Sequence, residues 1–179
     1  SPHHERSANR PLDGLAQVPV IPFKVIRTIP HARSYGMGLA WDQSVLGGET
    51  IWVSDSGSGI EQIDPYTGVN IKTFKAPNGK TRGLTHDGVD LWSASWYKPP
   101  TPSIFKINTA TGAVMNSFVA PFTGAASDGM AWSGLLWVGE EANRIHLIDP
   151  LAWVTKAVIN VPSAGSYNPR DIGYDTRSG

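Results

Sequence analysis

The chain has 179 residues, the length of one domain and enough to bury a core. Fifteen basic residues balance fifteen acidic ones with no long run of either sign, which excludes the electrostatic footprint of a nucleic-acid binder. There is no cysteine, so disulfides and thiolate metal sites are excluded, and no apolar run approaches the roughly 20 residues of a membrane-spanning helix.

Residues 1–20 lack periodicity and predict a flexible N-terminal arm; its His3-His4 pair is read as part of that arm. Apolar content rises over 23–29 and Pro30 ends the run, which suggests the last strand of a blade-like unit. A first repeat then spans about 34–77, with strands predicted at 38–41, 50–55, 60–64 and 70–76. A second spans about 78–121, with Asp87-Gly88 suited to a tight hairpin and Ala110-Thr111-Gly112 to a turn closed by a left-handed glycine, as in Pro65-Tyr66-Thr67-Gly68. A third spans about 122–162, where Leu151-Ala152-Trp153 stands in place of the glycine turn. That predicts a different turn there, with an exposed Trp153 as a contact surface. Residues 163–179 begin a fourth unit with an inner strand at 169–175.

Each repeat carries a Gly-apolar step (Gly38-Leu39, Gly83-Leu84, Gly129-Met130) followed by a strand centred on tryptophan: Trp52, Trp92 and Trp137. The tryptophans are 40 and 45 positions apart, the spacing of β-propeller blades. Only 17% of residues are charged, against roughly 25% in most soluble domains, and 19 glycines and 14 prolines supply many turns. The expected fold is all-β: a β-propeller arc of about three four-stranded blades plus flanking strands. An immunoglobulin-like sandwich is the competing architecture, but its strands do not usually recur as near-copies of one motif. A propeller ring takes about four to eight blades, so closure by a second chain is expected, as a homodimer or with a complementary propeller chain. The chain reads as soluble, with the compartment open and export compatible with it.

The repeat Gly-Leu-Ala-Trp-Asp, Ile-Trp-Val-Ser-Asp, Ile-Asp-Pro-Tyr-Thr-Gly resembles that of streptogramin-lyase-like propellers, and is similar to glutamine-cyclotransferase-like and YVTN-type repeats. The likeness covers about 34–175. It implies a site on one face of the ring, around the central channel. Streptogramin lyases place a histidine and a magnesium-binding glutamate there. Glu140, after Trp137-Val138-Gly139, matches the place of that glutamate, and no histidine lies in a matching channel loop.

The loops entering each inner strand and leaving each second strand share one rim, which gathers polar groups from several blades into a possible small-molecule or ion site. Arg82 and Arg170, each just before an inner strand, could clamp a carboxylate or phosphate, with Tyr35 and Asp128 on the same rim. Inter-blade ion pairing is their plainer role. Asp55, Glu140 and Glu141 could hold calcium or magnesium, or be salt-bridged or solvated carboxylates. Trp96 and Tyr97, in the proline-rich insertion 95–102, offer a rigid contact surface for a ligand or partner, or fold back over their own blade. His86 holds the slot of Trp41, Trp132 and Tyr174 and reads as packing between blades, as His146 does within its strand. The expected function is a non-catalytic module binding a small ligand or protein partner on the channel face. The alternatives are a metal-dependent lyase or hydrolase of a small molecule, and a structural part of a larger propeller.

Overall fold

The computed structural model describes residues 24–25, 27–29, 36–42, 44, 49–55, 59–162 and 171–174. The predicted arm at 1–20, Tyr35 and Arg170 lie outside them, as does the side chain of Asp128. Among the described residues, twelve strands form three antiparallel four-stranded sheets, each in simple chain order. Blade 1 comprises β1 (Gly36–Asp42), β2 (Thr50–Asp55), β3 (Gly59–Ile63) and β4 (Asn70–Lys75). Blade 2 comprises β5 (Thr81–His86), β6 (Leu91–Ser95), β7 (Ile104–Ile107) and β8 (Val114–Phe118). Blade 3 comprises β9 (Ala126–Trp132), β10 (Leu136–Glu140), β11 (Arg144–Asp149) and β12 (Val154–Asn160). No helix among the described residues is long and apolar enough to cross a membrane.

The inner strands stand side by side, β1 against β5 and β5 against β9, and the blade faces stack on one another. Each strand alternates its side chains, so every blade has a tryptophan-bearing face toward the next blade and an aliphatic face toward the previous one. Trp52, Ala40 and Ile60 of blade 1 thus meet Leu84, Leu91 and Phe105 of blade 2. Trp92, Ala94 and Ile104 of blade 2 meet Met130, Leu136 and Val138 of blade 3 in the same way.

A buried indole N–H needs an acceptor, and each repeat supplies one from the hairpin before it. Trp52 Nε1 donates to Asp42 Oδ2 at 3.0 Å, Trp92 Nε1 to Asp87 Oδ2 at 2.8 Å and Trp137 Nε1 to Ser133 Oγ at 2.8 Å. Glycine at 38 is a matter of space. A Cβ there would collide with the carbonyl oxygen of Arg82, and one at Gly129 would press on Ile172. Residues 171–174 therefore lie against β9 much as β5 lies against β1. They fall inside the inner strand predicted at 169–175 and form no strand.

The third turn departs from expectation. Asp64, Asn108 and Asp149 each accept two backbone N–H groups on one side-chain oxygen, and each backbone carbonyl accepts a third from Gly68, Gly112 or Trp153. Trp153 adopts φ 54° where the two glycines have 76° and 75°. The turn is thus the same one, held left-handed by a tryptophan. That residue is half-buried: its ring stacks on Phe118 with centroids 4.0 Å apart, and its Nε1 donates to Val119 O at 2.8 Å. Trp153 is inter-blade packing, which corrects the expectation of an exposed contact surface.

Candidate functional site

At the end of the blades where the inner strands begin, blade 2 assembles a small basic and aromatic pocket. Lys80 ends the loop from blade 1, Thr81 and Arg82 open β5, and Trp96 follows directly after β6; together they line a cavity of about 180 Å³. Antiparallel pairing of Thr81 with Ser95 brings the two segments to one level. The Arg82 guanidinium lies over the Trp96 ring, 4.5 Å from its centroid, and Lys80 Nζ is 5.9 Å from that of Tyr97. Thr81 Oγ1, in a residue only 1% exposed, has no hydrogen-bond partner among the described residues.

The insertion that carries Trp96 and Tyr97 is anchored at both ends. Ser95 N donates to Ser103 O at 2.7 Å and Thr101 N to Lys98 O at 3.1 Å. Tyr97 Oη donates to Asn78 O at 3.3 Å, while Asn78 Nδ2 donates to Pro102 O at 3.3 Å. The loop folds back over its blade and still leaves the Trp96 ring exposed beside Arg82. Tyr97 ties the loop down, and Trp96 lines the cavity.

The carboxylates lie elsewhere. Asp55 is the buried last residue of β2 and accepts Gly59 N–H on Oδ1 at 3.0 Å. Glu140 ends β10 and is 0% exposed. Its Oε1 accepts Gly124 N–H and Arg144 Nη2, each at 2.8 Å, and its Oε2 lies 2.7 Å from both Arg144 Nε and His146 Nε2. Burial pushes the Glu140 pKa up, but the bonds from His146, Arg144 and Gly124, with the Arg144 charge, outweigh it and hold the carboxylate below its ordinary range. Glu141 is half-buried, with its N–H on Ala125 O. Among the described residues no three His, Asp or Glu side chains are grouped to hold a metal ion. The expected rim thus separates into an open basic pocket on blade 2 and a closed ion-pair cluster in blade 3.

His146 stacks on Phe122 with centroids 4.4 Å apart, and sequence reasoning missed its pairing with Glu140. The available signal was period two: Arg144 and His146 share one face of β11, opposite Glu140 on β10. His86 Nε2 lies 3.5 Å from Asp42 Oδ2 across the boundary between blades 1 and 2, a packing position as expected.

Among solved structures, the chain is similar to the glutaminyl cyclase of Myxococcus xanthus, with TM-score 0.63 and 18% identity over 78% of this chain and 56% of that one. It is also similar to the β-propeller domain of Myceliophteria thermophila Cps50 (Swd1), with TM-score 0.55 and 11% identity over 76% of this chain and 46% of that one. The fold is a β-propeller arc. The computationally designed Ika4 protein matches over 86% of this chain and 88% of its own, with TM-score 0.53 and 14% identity. No family model matches the sequence, and no curated protein does. At these identities the likeness is one of fold, and the propeller spans just over half of the glutaminyl cyclase it matches.

Proposed function

We propose that this propeller is a non-catalytic binding module whose channel face takes the carboxylate of a small-molecule ligand at Lys80, Arg82 and Trp96. The observation that carries the reading is the Arg82 guanidinium stacked on Trp96 beside Lys80, where the three line one small cavity. The stack holds the guanidinium plane against the indole, and a guanidinium pairs with carboxylates through directed hydrogen bonds. Thr81 lines the same cavity, and its buried hydroxyl has no hydrogen-bond partner among the described residues. Titration calorimetry with succinate at low ionic strength tests this. Saturable binding is expected, weakened about tenfold or more in Arg82→Gln and in Trp96→Ala. Equal heats from wild type and both variants would refute it.

Completion of the ring by a second polypeptide, identical or complementary, belongs to the same reading. It is supported by Leu39 on β1, which is 64% exposed while its counterparts Leu84 and Met130 are 2% and 4% exposed beneath the preceding blade.

A further inference from the structure

A second cavity lies at the opposite end of the blades from the basic pocket, between blades 2 and 3. Its volume is about 620 Å³, within the range of small-molecule sites. Trp92, Phe118 and Trp132 line its aromatic side, and Asp149, Pro150 and Leu151 line the blade 3 side. The rings form one stack, with centroids 5.9 Å apart from Phe118 to Trp92 and 6.2 Å from Trp92 to Trp132.

The equivalent position between blades 1 and 2 shows what chemistry this place accepts. There Lys72 crosses the gap, and its ammonium donates to Thr109 O at 3.0 Å and to Ala110 O at 3.2 Å. The same ammonium sits 5.6 Å from the centroid of Phe74. Strand register fixes the correspondence. Trp52 pairs with Gln62 and Gln62 with Lys72 in blade 1, as Trp92 pairs with Lys106 and Lys106 with Asn116 in blade 2. Asn116 therefore stands where Lys72 stands, Phe118 where Phe74 does, and Pro150 and Leu151 where Thr109 and Ala110 do. An asparagine is too short to cross as Lys72 does, and Asn116 instead lines the groove together with Phe118, Pro150 and Leu151.

A second substitution works in the same direction. Gly112 seats the blade 2 turn directly on Phe74, where a Cβ would collide with the ring, but its counterpart Trp153 puts an indole on Phe118 instead. Charge adds to this. Asp87, Asp90 and Asp149 line the groove with a single lysine, Lys106, which is held by Asp87 at 3.0 Å and Asp90 at 3.2 Å. Asp149 is shared with the half-exposed Lys156 at 3.3 Å.

We infer that the groove between blades 2 and 3 is a binding site for an organic ammonium ion with an apolar body, the ammonium taking the place that Lys72 fills one blade earlier. Cation–π attraction and the acidic rim favour the charge, and the aromatic stack favours the body. The test is tryptophan fluorescence titration with phenethylammonium and with neutral phenethyl alcohol. Saturable binding of the amine is expected, at least fivefold tighter than of the alcohol. Asn116→Lys restores the crossing lysine and is expected to weaken amine binding at least tenfold, with the near-ultraviolet circular dichroism of the folded protein retained. Asp149→Asn keeps the turn, since Asn108 makes the same turn in blade 2, and is expected to weaken the amine alone. Equal binding of amine and alcohol, or an Asn116→Lys protein that binds the amine as wild type does, would overturn the assignment.

Discussion

Glu140 shows how a carboxylate at a plausible catalytic position is claimed by its own blade. Arg144, His146 and the Gly124 amide fill both of its oxygens, so Glu140→Gln leaves the Arg144 guanidinium without its counter-charge. A loss of roughly 3 kcal/mol is expected in urea denaturation. Asp42 and Asp87 are also held below the ordinary carboxylate range. Burial opposes this in both, and it is outweighed at Asp42 by Ser44, Trp52 and His86, and at Asp87 by the Asp90 amide, Trp92 and Lys106. The folded values of all three lie below the ordinary 3.8 for aspartate and 4.5 for glutamate. Their stabilisation is therefore complete above about pH 5 and lost as pH falls through the folded values. A thermal-melt series should be flat in these terms from neutrality to about pH 5 and then drop; a melting temperature that rises on acidification would contradict this. Trp153 offers a test of sign. If backbone strain governed the residue, Trp153→Gly would stabilise by about 1 kcal/mol. The stacking on Phe118 and the bond to Val119 predict a net loss of about 2 kcal/mol instead.

At the scale of elements, close backbone contacts at the inner strands help to join the blades. Gly38 N–H donates to Ser54 Oγ at 3.0 Å, and that hydroxyl donates to Arg82 O at 3.3 Å, which links β1, β2 and β5. Ser54→Ala should cost about 2 kcal/mol. Gly38→Ala should cost more, because backbone of the next blade must move to admit the methyl group. Chemical denaturation of the two variants checks the order. Such elements were legible because the repeat writes each of them three times: the tryptophan strand, the glycine before it and the carboxylate or amide that opens the outer turn. The turn at Trp153 was misread because glycine was taken as necessary for the left-handed conformation. Three hydrogen bonds to Asp149 hold it without one. The basic pocket was legible in part, since Arg82, Trp96 and Tyr97 fall on loops that the strand order brings to one end. The groove between blades 2 and 3 was not, because it depends on comparing residues 72 and 116 once the register is known.

For the whole molecule, the stacking rule that buries Leu84 and Met130 leaves Leu39 uncovered at the open end of the arc. Light scattering should give a mass near twice 19.3 kDa if two copies cover these faces, and Leu39→Lys should return it to one chain's mass. A single-chain mass for wild type would contradict closure by two copies. The two ends of the blades are chemically opposed, with a basic pocket at one and an acidic aromatic groove at the other, so ligands of opposite charge should separate between them. The most direct test of the binding-module reading is a nuclear magnetic resonance titration with succinate that follows the indole N–H of Trp96. The account predicts a saturable shift of that resonance which Arg82→Gln abolishes, while the Trp137 indole, hydrogen-bonded to Ser133, stays still. An unmoved Trp96 resonance, or one that shifts equally in Arg82→Gln, would contradict it.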